Sequence, residues 1–234
     1  MKSKILLIHG WDYANYTSSG CTDAWSNRSK FLQALSSQHF DVVTINLPGF
    51  CGQPDPKTPW MLDDYVDYVN VVIKKEQLEY ILGYSFGGAI VLRWKKHSKD
   101  MTVKAFLVSP AIIRRYEKVD LSFIQKMLKG ILSNKLISLF RDLYLTKVVK
   151  NPYYSNATKV MRETYCNIVG ADLRKDFQEL SDSVTLIYGE NDTATPPSLV
   201  LEALSRSKVQ HEVKVISTGG HDIANSHTKE LDET

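Results

Sequence analysis

The sequence is short of several features that would assign it to a specialised class of protein. It has 3 cysteines among 234 residues, an odd number without C-x-x-C spacing, so we expect free thiols in a reducing compartment. The first apolar run, ILLI at 5–8, is too short for a signal peptide, and no later run approaches the length of a membrane span. Together these absences predict a cytoplasmic protein that is not stably inserted into a membrane.

A large excess of charge of one sign is also lacking. The chain carries 29 Lys and Arg against 26 Asp and Glu, so its overall charge does not indicate a nucleic-acid partner. The 6 histidines are scattered without metal-binding spacing, and GYSFGG fits neither G-x-G-x-x-G nor the phosphate-binding G-K-S/T pattern. We therefore expect no metal and no cofactor, only a small-molecule substrate; the sequence does not determine the oligomeric state.

The chain does contain a regular alternation of short apolar runs with amphipathic segments. Helices are predicted around 24–37, 62–75 and 86–97, with another after Pro196 and Pro197. Alternating strands and helices indicate parallel β-α-β units with right-handed crossovers. The expected fold is thus α/β, with a parallel sheet of about six strands flanked by helices. The predicted strands lie at 4–8, 41–46, 78–83, 103–109, 184–189 and 211–217.

The stretch 110–178 breaks this alternation. It contains no convincing strand, and its apolar residues recur at helical spacing. We therefore assign 1–109 and 179–234 to an α/β core and 110–178 to a helical cap inserted into it. The inward faces of the cap helices are expected to be aliphatic and aromatic. The apolar positions are Leu121, Ile124, Leu128, Ile131, Leu136, Leu139, Phe140, Leu143, Val160, Met161, Tyr165 and Ile168.

The cap also concentrates the positive charge of the chain, with 13 Lys and Arg against 6 Asp and Glu. A solvated outer surface is the simplest explanation. The alternatives are steering of an anionic substrate and weak attraction to acidic lipids. Because guanidinium groups bind carboxylates with bidentate geometry, Arg114, Arg115 and Arg141 are the first candidates for substrate binding.

A single serine with glycines on both sides stands between the third predicted strand and its helix. The segment 83–87, GYSFG, matches G-x-S-x-G in the strand-to-helix context where this pattern places a nucleophile. Small residues at Gly83 and Gly87 would let a sharp turn pass without Cβ clashes, and Gly88 would allow close helix–sheet packing. We therefore interpret Ser85 as a nucleophile held out of the sheet. The alternative is a glycine-rich turn without chemistry.

A serine nucleophile needs a base and an acid that orients this base, and both have candidates beyond later strands. Asp192 lies in the turn after the fifth predicted strand, with Glu190 and Asn191 as neighbouring alternatives. His221 follows two glycines after the last strand, with His227 as its competitor. Because the carboxyl ends of parallel strands share one edge of the sheet, these groups are expected to converge.

Two backbone N–H groups are candidates for stabilising an oxyanion. The stretch HGW ends the first predicted strand, and the N–H of Trp11 is one expected donor. The other is the N–H of Phe86, directly after the nucleophile. The side chains at these two positions would then shape the pocket.

These motifs carry a resemblance that spans nearly the whole chain. HGW, NLPGF (46–50), GYSFGG, YGENDTATP and GGH follow the order found in the α/β-hydrolase superfamily, and the chain resembles its compact, cap-bearing branch. The resemblance implies an α/β-hydrolase fold in which Ser85 attacks a carbonyl, His221 transfers the proton and Asp192 orients the histidine. Water would then hydrolyse an acyl-enzyme. A serine at this position argues against the dehalogenase branch.

The function expected first is hydrolysis of small carboxylic esters. Thioesters, amides and carbon–carbon bonds of diketo acids are alternatives within the same mechanism. A different class remains open, a non-catalytic ligand-binding protein on a hydrolase scaffold. Turnover of activated esters that is lost in Ser85→Ala would distinguish the enzyme from the binding protein.

Overall fold

A six-stranded parallel sheet forms the centre of the computed structural model, which describes residues 2–11, 20–98, 101–114, 134–148, 150–155 and 157–232. The spatial order is β2-β1-β3-β4-β5-β6, and every neighbouring pair is parallel. The predicted α/β fold with six parallel strands is therefore confirmed. The strands are β1 (Ser3–Ile8), β2 (Phe40–Ile45), β3 (Tyr80–Tyr84), β4 (Lys104–Val108), β5 (Thr185–Gly189) and β6 (Glu212–Ile216).

Helices connect the strands and cover the sheet. A 3-10 turn at Ser26–Arg28 precedes the first α-helix, and a π-helical turn at Tyr144–Val148 extends the fourth. Among the described residues between β4 and β5, every regular element is helical. In the described part of the chain, none of the helices combines the length and the apolar composition that a membrane crossing requires. The α-helices are α1 (Ser29–Ser37), α2 (Leu62–Lys75), α3 (Phe86–His97), α4 (Asn134–Leu143), α5 (Pro152–Ser155), α6 (Lys159–Val169), α7 (Arg174–Gln178), α8 (Pro197–Leu204), α9 (Ile223–Ser226) and α10 (Thr228–Asp232).

The sheet is buried on both faces, as the near-continuous apolar strands require. In β1, Leu6 and Ile8 belong to the hydrophobic cluster on the side of α2 and α3, whereas Ile5 and Leu7 belong to the cluster under α1 and α10. All four side chains are buried, because alternate residues of a strand point to opposite faces.

The strand order places the end of β1 next to the end of β3. The chain moves outward from β1 to β2 and then returns to the other side of β1 for β3. In open parallel sheets such a reversal leaves a crevice beyond the carboxyl ends of the two strands. Here Ile8 pairs with Gly83, so the loops that begin at His9 and at Ser85 leave the sheet side by side.

The cysteine expectation is wrong for two of the three residues. Cys21 and Cys51 form a disulfide across a sequence separation of 30, with their Cα atoms 4.8 Å apart, whereas Cys166 is free. The amide group of Asn46 explains the encounter, because its nitrogen donates to the carbonyl oxygens of Thr22 and Cys51. The disulfide removes the thiol argument for a cytoplasmic location, which stays a prediction.

The cap expectation is correct for one helix and wrong for another. In α6, Met161 and Ile168 are buried, as their spacing predicted. In α4 the helix is present, but Leu139 and Phe140 are exposed rather than turned inward. The predicted apolar positions 121, 124, 128 and 131, and also Arg115, lie outside the described residues. The division into core and cap stays a prediction.

Candidate active site

Ser85 occupies a sharp turn between β3 and α3. Its backbone has φ 52° and ψ −109°, a conformation that is costly for a residue with a side chain. Neighbouring backbone holds this turn, because the N–H of Ser85 donates to the carbonyl of Val108 at 2.9 Å and its carbonyl accepts from the N–H of Ala111 at 3.0 Å. The turn projects the hydroxyl beyond the end of the sheet, where other loops can reach it.

Close backbone packing explains the glycines on both sides of this serine. A Cβ atom on Gly83 would lie 2.4 Å from the carbonyl oxygen of Gly87, and one on Gly87 would lie 2.2 Å from that of Ile8. A Cβ on Gly88 would lie 2.6 Å from the side chain of Pro110. Side chains at these positions would force the start of α3 away from β1 and move the serine hydroxyl.

Two further side chains form a hydrogen-bonded chain with Ser85. Nε2 of His221 lies 3.0 Å from Oγ of Ser85, and Nδ1 lies 2.8 Å from Oδ2 of Asp192. The structure thus brings together the three residues that the sequence singled out. Burial opposes ionisation of Asp192, but hydrogen bonds from His221 and Thr195 outweigh it and lower the pKa of the carboxyl group.

Thr195 is a site residue that the sequence analysis did not identify. Its Oγ1 lies 2.6 Å from Oδ2 of Asp192, 3.1 Å from the carbonyl oxygen of Ser109 and 3.3 Å from Nδ1 of His221. Its N–H and that of Ala194 donate to the other carboxylate oxygen. The carboxylate is therefore fixed from both sides. No distinctive signal in the sequence marks Thr195, because an aspartate followed by a threonine is ordinary in a turn.

The alternatives for the acid and the base are engaged elsewhere. The carboxylate of Glu190 accepts hydrogen bonds from the side chain of Ser217 and the N–H of Thr218. The ring of His227 pairs with the hydroxyls of Thr218 and Ser226. Neither has a hydrogen bond to Ser85 among the described residues, so the geometry selects Asp192 and His221.

The family model described as "Alpha/beta hydrolase family" matches residues 5–234 of the sequence. This chain belongs to the alpha/beta hydrolase family. The match covers the strand ends that carry Ser85, Asp192 and His221, and it agrees with the sheet order. A search of curated proteins gave no match.

Solved structures share the fold of this alpha/beta hydrolase at low sequence identity. A bromoperoxidase from Bacillus anthracis is 18% identical, with a TM-score of 0.71, and the alignment covers 100% of this chain and 90% of that one. An esterase from Exiguobacterium antarcticum is 16% identical, with a TM-score of 0.68 over 99% and 89% of the two chains. A meta-cleavage product hydrolase from Pseudomonas fluorescens is 17% identical, with a TM-score of 0.65 over 99% and 88%. At these identities the likeness shows the fold alone.

A cavity of about 350 Å³ opens in front of the serine hydroxyl of this hydrolase. Its volume lies at the lower end of the range for small-molecule sites. Of the arginines proposed from the sequence, Arg114 lines the cavity, whereas Arg141 does not and is bonded to Asp142 and Tyr154. Most of the wall is aromatic or apolar. The lining residues are Trp11, Arg28, Tyr84, Ser85, Phe86, Ala111, Arg114, Tyr153, Tyr165, Ile168, Val169, Ala194, Thr195, His221 and Asp222.

Arg114 joins the end of β4 to the base of the cap. Its Nε donates to the carbonyl of Ala171 at 3.1 Å and its Nη2 to that of Ile168 at 3.2 Å. Burial lowers the pKa of this guanidinium group, which nevertheless starts from an ordinary value far above neutrality. A positive charge is thus held on the cavity wall by two neutral acceptors.

The predicted oxyanion donors, Trp11 and Phe86, both line the cavity. Phe86 is the first residue of α3, so its N–H belongs to the first turn, where intrahelical acceptors are missing. The two rings contact each other, with centroids 5.3 Å apart. A Cβ on Gly10 would lie only 3.1 Å from that of Ser85, so the backbone before Trp11 passes close to the nucleophile. The donor roles themselves stay predictions.

The loop that carries His221 is supported by a buried arginine, Arg28, which the sequence analysis missed. Arg28 is only 3% exposed, and its Nε donates to Oδ1 of Asp222 at 3.1 Å. Its guanidinium carbon lies 4.6 Å from the ring centroid of Tyr84, whose hydroxyl donates to the carbonyl of His221 at 3.4 Å. These contacts hold both ends of the His221–Asp222 peptide.

Proposed function

We propose that this alpha/beta hydrolase is a serine hydrolase that cleaves small carboxylic esters through an acyl-enzyme. The observation that carries the proposal is the hydrogen-bonded chain from Ser85 through His221 to Asp192. Nε2 of His221 accepts the hydroxyl proton while Oγ of Ser85 attacks the ester carbonyl. The same nitrogen then gives this proton to the departing alkoxide, and the acyl group stays on Ser85.

Deacylation repeats the sequence with water as the nucleophile. His221 accepts a proton from the water as the water oxygen attacks the acyl carbon. The histidine then returns the proton to Oγ of Ser85 as the carboxylic acid leaves. Asp192 stays ionised throughout, because its lowered pKa favours the carboxylate that stabilises the imidazolium. The N–H groups of Trp11 and Phe86 are the proposed donors to the tetrahedral oxyanion.

The cavity supports a small ester with an apolar acyl or alcohol group, since most of its lining residues are aromatic or aliphatic. Thioesters, amides and carbon–carbon bonds would follow the same steps with a different leaving group. No observation in the described residues favours them over esters, so esters remain the first proposal. Arg114 is proposed to contact substrate; Arg141 is left out because it is not on the wall.

The test is covalent labelling followed by intact-mass measurement. The protein is incubated with a fluorophosphonate probe, and the wild type is compared with Ser85→Ala and with Ser205→Ala. Ser205 is an exposed serine after α8 and serves as the matched control. We expect one adduct on the wild type, one on Ser205→Ala and none on Ser85→Ala. The labelled protein should also lose its turnover of 4-nitrophenyl butyrate.

Two results would refute the proposal. An adduct that persists in Ser85→Ala would place the reactive group elsewhere. A folded wild type that neither reacts with the probe nor hydrolyses activated esters would favour a non-catalytic ligand-binding protein on this scaffold.

A further inference from the structure

Helix α4 exposes a continuous apolar stripe. The exposed fractions of its three leucines and Phe140, together with that of the tyrosine that follows the helix, lie between 37% and 62%. Their spacing of three and four residues places them on one side of the helix. An isolated exposed leucine would need no explanation, but a row of this length does. The stripe consists of Leu136, Leu139, Phe140, Leu143 and Tyr144.

Two charged residues of the same helix, Arg141 and Asp142, form hydrogen bonds toward the protein. Nε of Arg141 donates to the hydroxyl of Tyr154 at 3.2 Å, and this hydroxyl donates to the carboxylate of Asp142. Tyr154 is fully buried. The usual orientation of a surface helix is therefore reversed, since ion-paired groups bond inward and the apolar groups point out.

The segment that carries the stripe has an excess of positive charge. The segment 134–162 contains 6 Lys and Arg and a single acidic residue, Asp142. That carboxylate is used in the inward network with Arg141 and Tyr154. Lys147 and Lys150, in contrast, are exposed just beyond the stripe. We call the stripe together with Lys147 and Lys150 the cap face.

The cap face leads to the mouth of the active-site cavity. Tyr153 follows Lys150 closely in the chain, and it is both exposed and part of the cavity wall. Val169, at the end of α6, has the same two properties. A surface that docks on the cap face would therefore approach the entrance to Ser85.

We propose that the cap face binds the surface of an anionic lipid bilayer. An aliphatic and aromatic stripe can enter the headgroup boundary while flanking lysines contact acidic headgroups. A second copy of the chain is a poorer match, because two cap faces would bring their lysines together without acidic partners. Binding at the surface needs no membrane-spanning helix. The proposal does not depend on catalysis, since none of its residues lies in the Ser85 site.

The test is sedimentation with large unilamellar vesicles in the Ser85→Ala background. One set of vesicles is pure phosphatidylcholine and the other contains 30% phosphatidylglycerol, an arbitrary working fraction of roughly the size that gives a strongly negative surface. We expect binding to the anionic set alone, and we expect it to weaken as salt is raised. Because this background lacks the proposed nucleophile, failure of the serine-hydrolase proposal would leave the result unchanged.

Two variants with matched controls separate the apolar and the electrostatic contributions. Leu139→Ser with Phe140→Ser should reduce the affinity about tenfold or more, whereas Val71→Ser, an equally exposed apolar site on α2, should not. The double variant Lys147→Glu with Lys150→Glu should reduce the affinity for anionic vesicles about tenfold. Its control is the double variant Lys30→Glu with Lys74→Glu, at exposed helical positions of the core, which should have a clearly smaller effect. With Ser85 restored, all of these variants should hydrolyse a soluble ester at the wild-type rate.

Three results would overturn the proposal. One is that the protein does not bind vesicles, or that the cap-face variants and their controls change the affinity for vesicles by the same factor. Another is a concentration-dependent dimer that Leu139→Ser with Phe140→Ser dissociates, which would make the stripe an interface between copies. The third concerns an environment-sensitive fluorophore attached at Leu139→Cys in a Cys166→Ser background. If its emission already reports an apolar surrounding without vesicles, another part of the chain covers the stripe.

Discussion

At the scale of single residues, Arg114 holds a charge on the cavity wall, and in the described parts of the chain its guanidinium group forms no ion pair within 4.0 Å, although Asp172 attracts it from farther away. Its side-chain hydrogen bonds go to two carbonyl oxygens, and none of the ion pairs found in the described parts of the chain includes it. Asp172 accepts a hydrogen bond from its backbone N–H instead. A carboxylate on the substrate would form a direct charge-assisted hydrogen bond that the two carbonyl acceptors do not provide.

Arg114→Gln tests whether this charge selects the substrate. We compare 4-nitrophenyl esters of butyric acid and of glutaric acid, because the second carries a free carboxylate. The substitution should lower kcat/KM for the glutarate ester about tenfold to a hundredfold and leave the butyrate ester within about twofold, the range expected for a charge-assisted hydrogen bond. Steady-state kinetics at constant ionic strength measure both values.

Arg162→Gln is the matched control, since Arg162 bonds to the carbonyls of Tyr154 and Ser155 and does not line the cavity. An equal fall for both esters in Arg114→Gln would contradict substrate binding. It would show that this side chain acts only by holding Ile168 and Ala171 at the base of the cap.

The sequence was most informative about residues whose chemistry requires a fixed place after a strand. Ser85, Asp192 and His221 could be named because each follows a strand end in the order that a parallel sheet brings together. Thr195 and Arg28 could not, because a threonine in a turn and an arginine in a 3-10 turn have no distinctive pattern. Their importance comes from contacts across 86 and 194 positions of sequence, which only the folded chain shows.

At the scale of elements, His9 connects the end of β1 to the loop after β2. Its Nε2 accepts the N–H of Leu47 at 3.0 Å, and its Nδ1 lies 2.7 Å from the carbonyl oxygen of Gly10. These two bonds require a neutral ring with the proton on Nδ1. Burial lowers the pKa of His9 to about 4, because the charged form would be desolvated.

This pKa makes His9 a source of acid sensitivity. In the unfolded chain the ring titrates near its ordinary value of about 6.5. The stabilisation of the folded state is thus fully present above pH 6.5 and is lost as the pH falls toward 4, because the unfolded chain binds the proton first. Between pH 7.5 and 5 the loss is about 2 kcal/mol by this relation.

His9→Gln should remove that dependence. The variant should be less stable than the wild type at pH 7.5. Between pH 7.5 and 5, however, its free energy of unfolding should fall by about 2 kcal/mol less than that of the wild type. Urea unfolding at both pH values measures the difference. His97→Gln, at an exposed histidine on α3, should keep the wild-type slope with pH. Identical slopes for His9→Gln and the wild type would contradict this assignment.

Element boundaries and element faces were not equally predictable. Apolar runs located all six strands, because a buried parallel strand needs a nearly continuous apolar stretch. The spacing in 136–143 correctly predicted a helix, but it could not tell which way the apolar side points. The orientation of α4 depends on the buried hydroxyl of Tyr154, which attracts Arg141 and Asp142 to the inside.

At the scale of the whole molecule, the disulfide links two loops that are distant in sequence. One loop precedes α1 and the other follows β2. The side chain of Asn46 bonds to both loops, since its Oδ1 accepts from the N–H of Ala24 and its Nδ2 donates to the carbonyl oxygens of Thr22 and Cys51. Cysteine number and spacing could not reveal this pairing, because it depends on how the loops converge beyond the strand ends. A covalent link at this place restricts the loop after β2 relative to the loop before α1.

The disulfide predicts a specific count of reactive thiols. Protein purified without reductant, unfolded in guanidinium and treated with iodoacetamide should gain one label, on Cys166, and should gain three after prior reduction. Closing a loop with a sequence separation of 30 stabilises the folded state by about 3–4 kcal/mol in the chain-entropy account, so Cys51→Ser should lower the free energy of unfolding by about that amount.

Cys21→Ser and the double variant should lose the same amount as Cys51→Ser, because either substitution removes the whole link. Cys166→Ser is the matched control and should change stability by less than about 1 kcal/mol, since this partly exposed thiol has no covalent partner. Additive losses in the double variant would mean that the two cysteines act separately through packing. Three labels without reduction would mean that all the thiols are free, and would restore the argument for a reducing compartment.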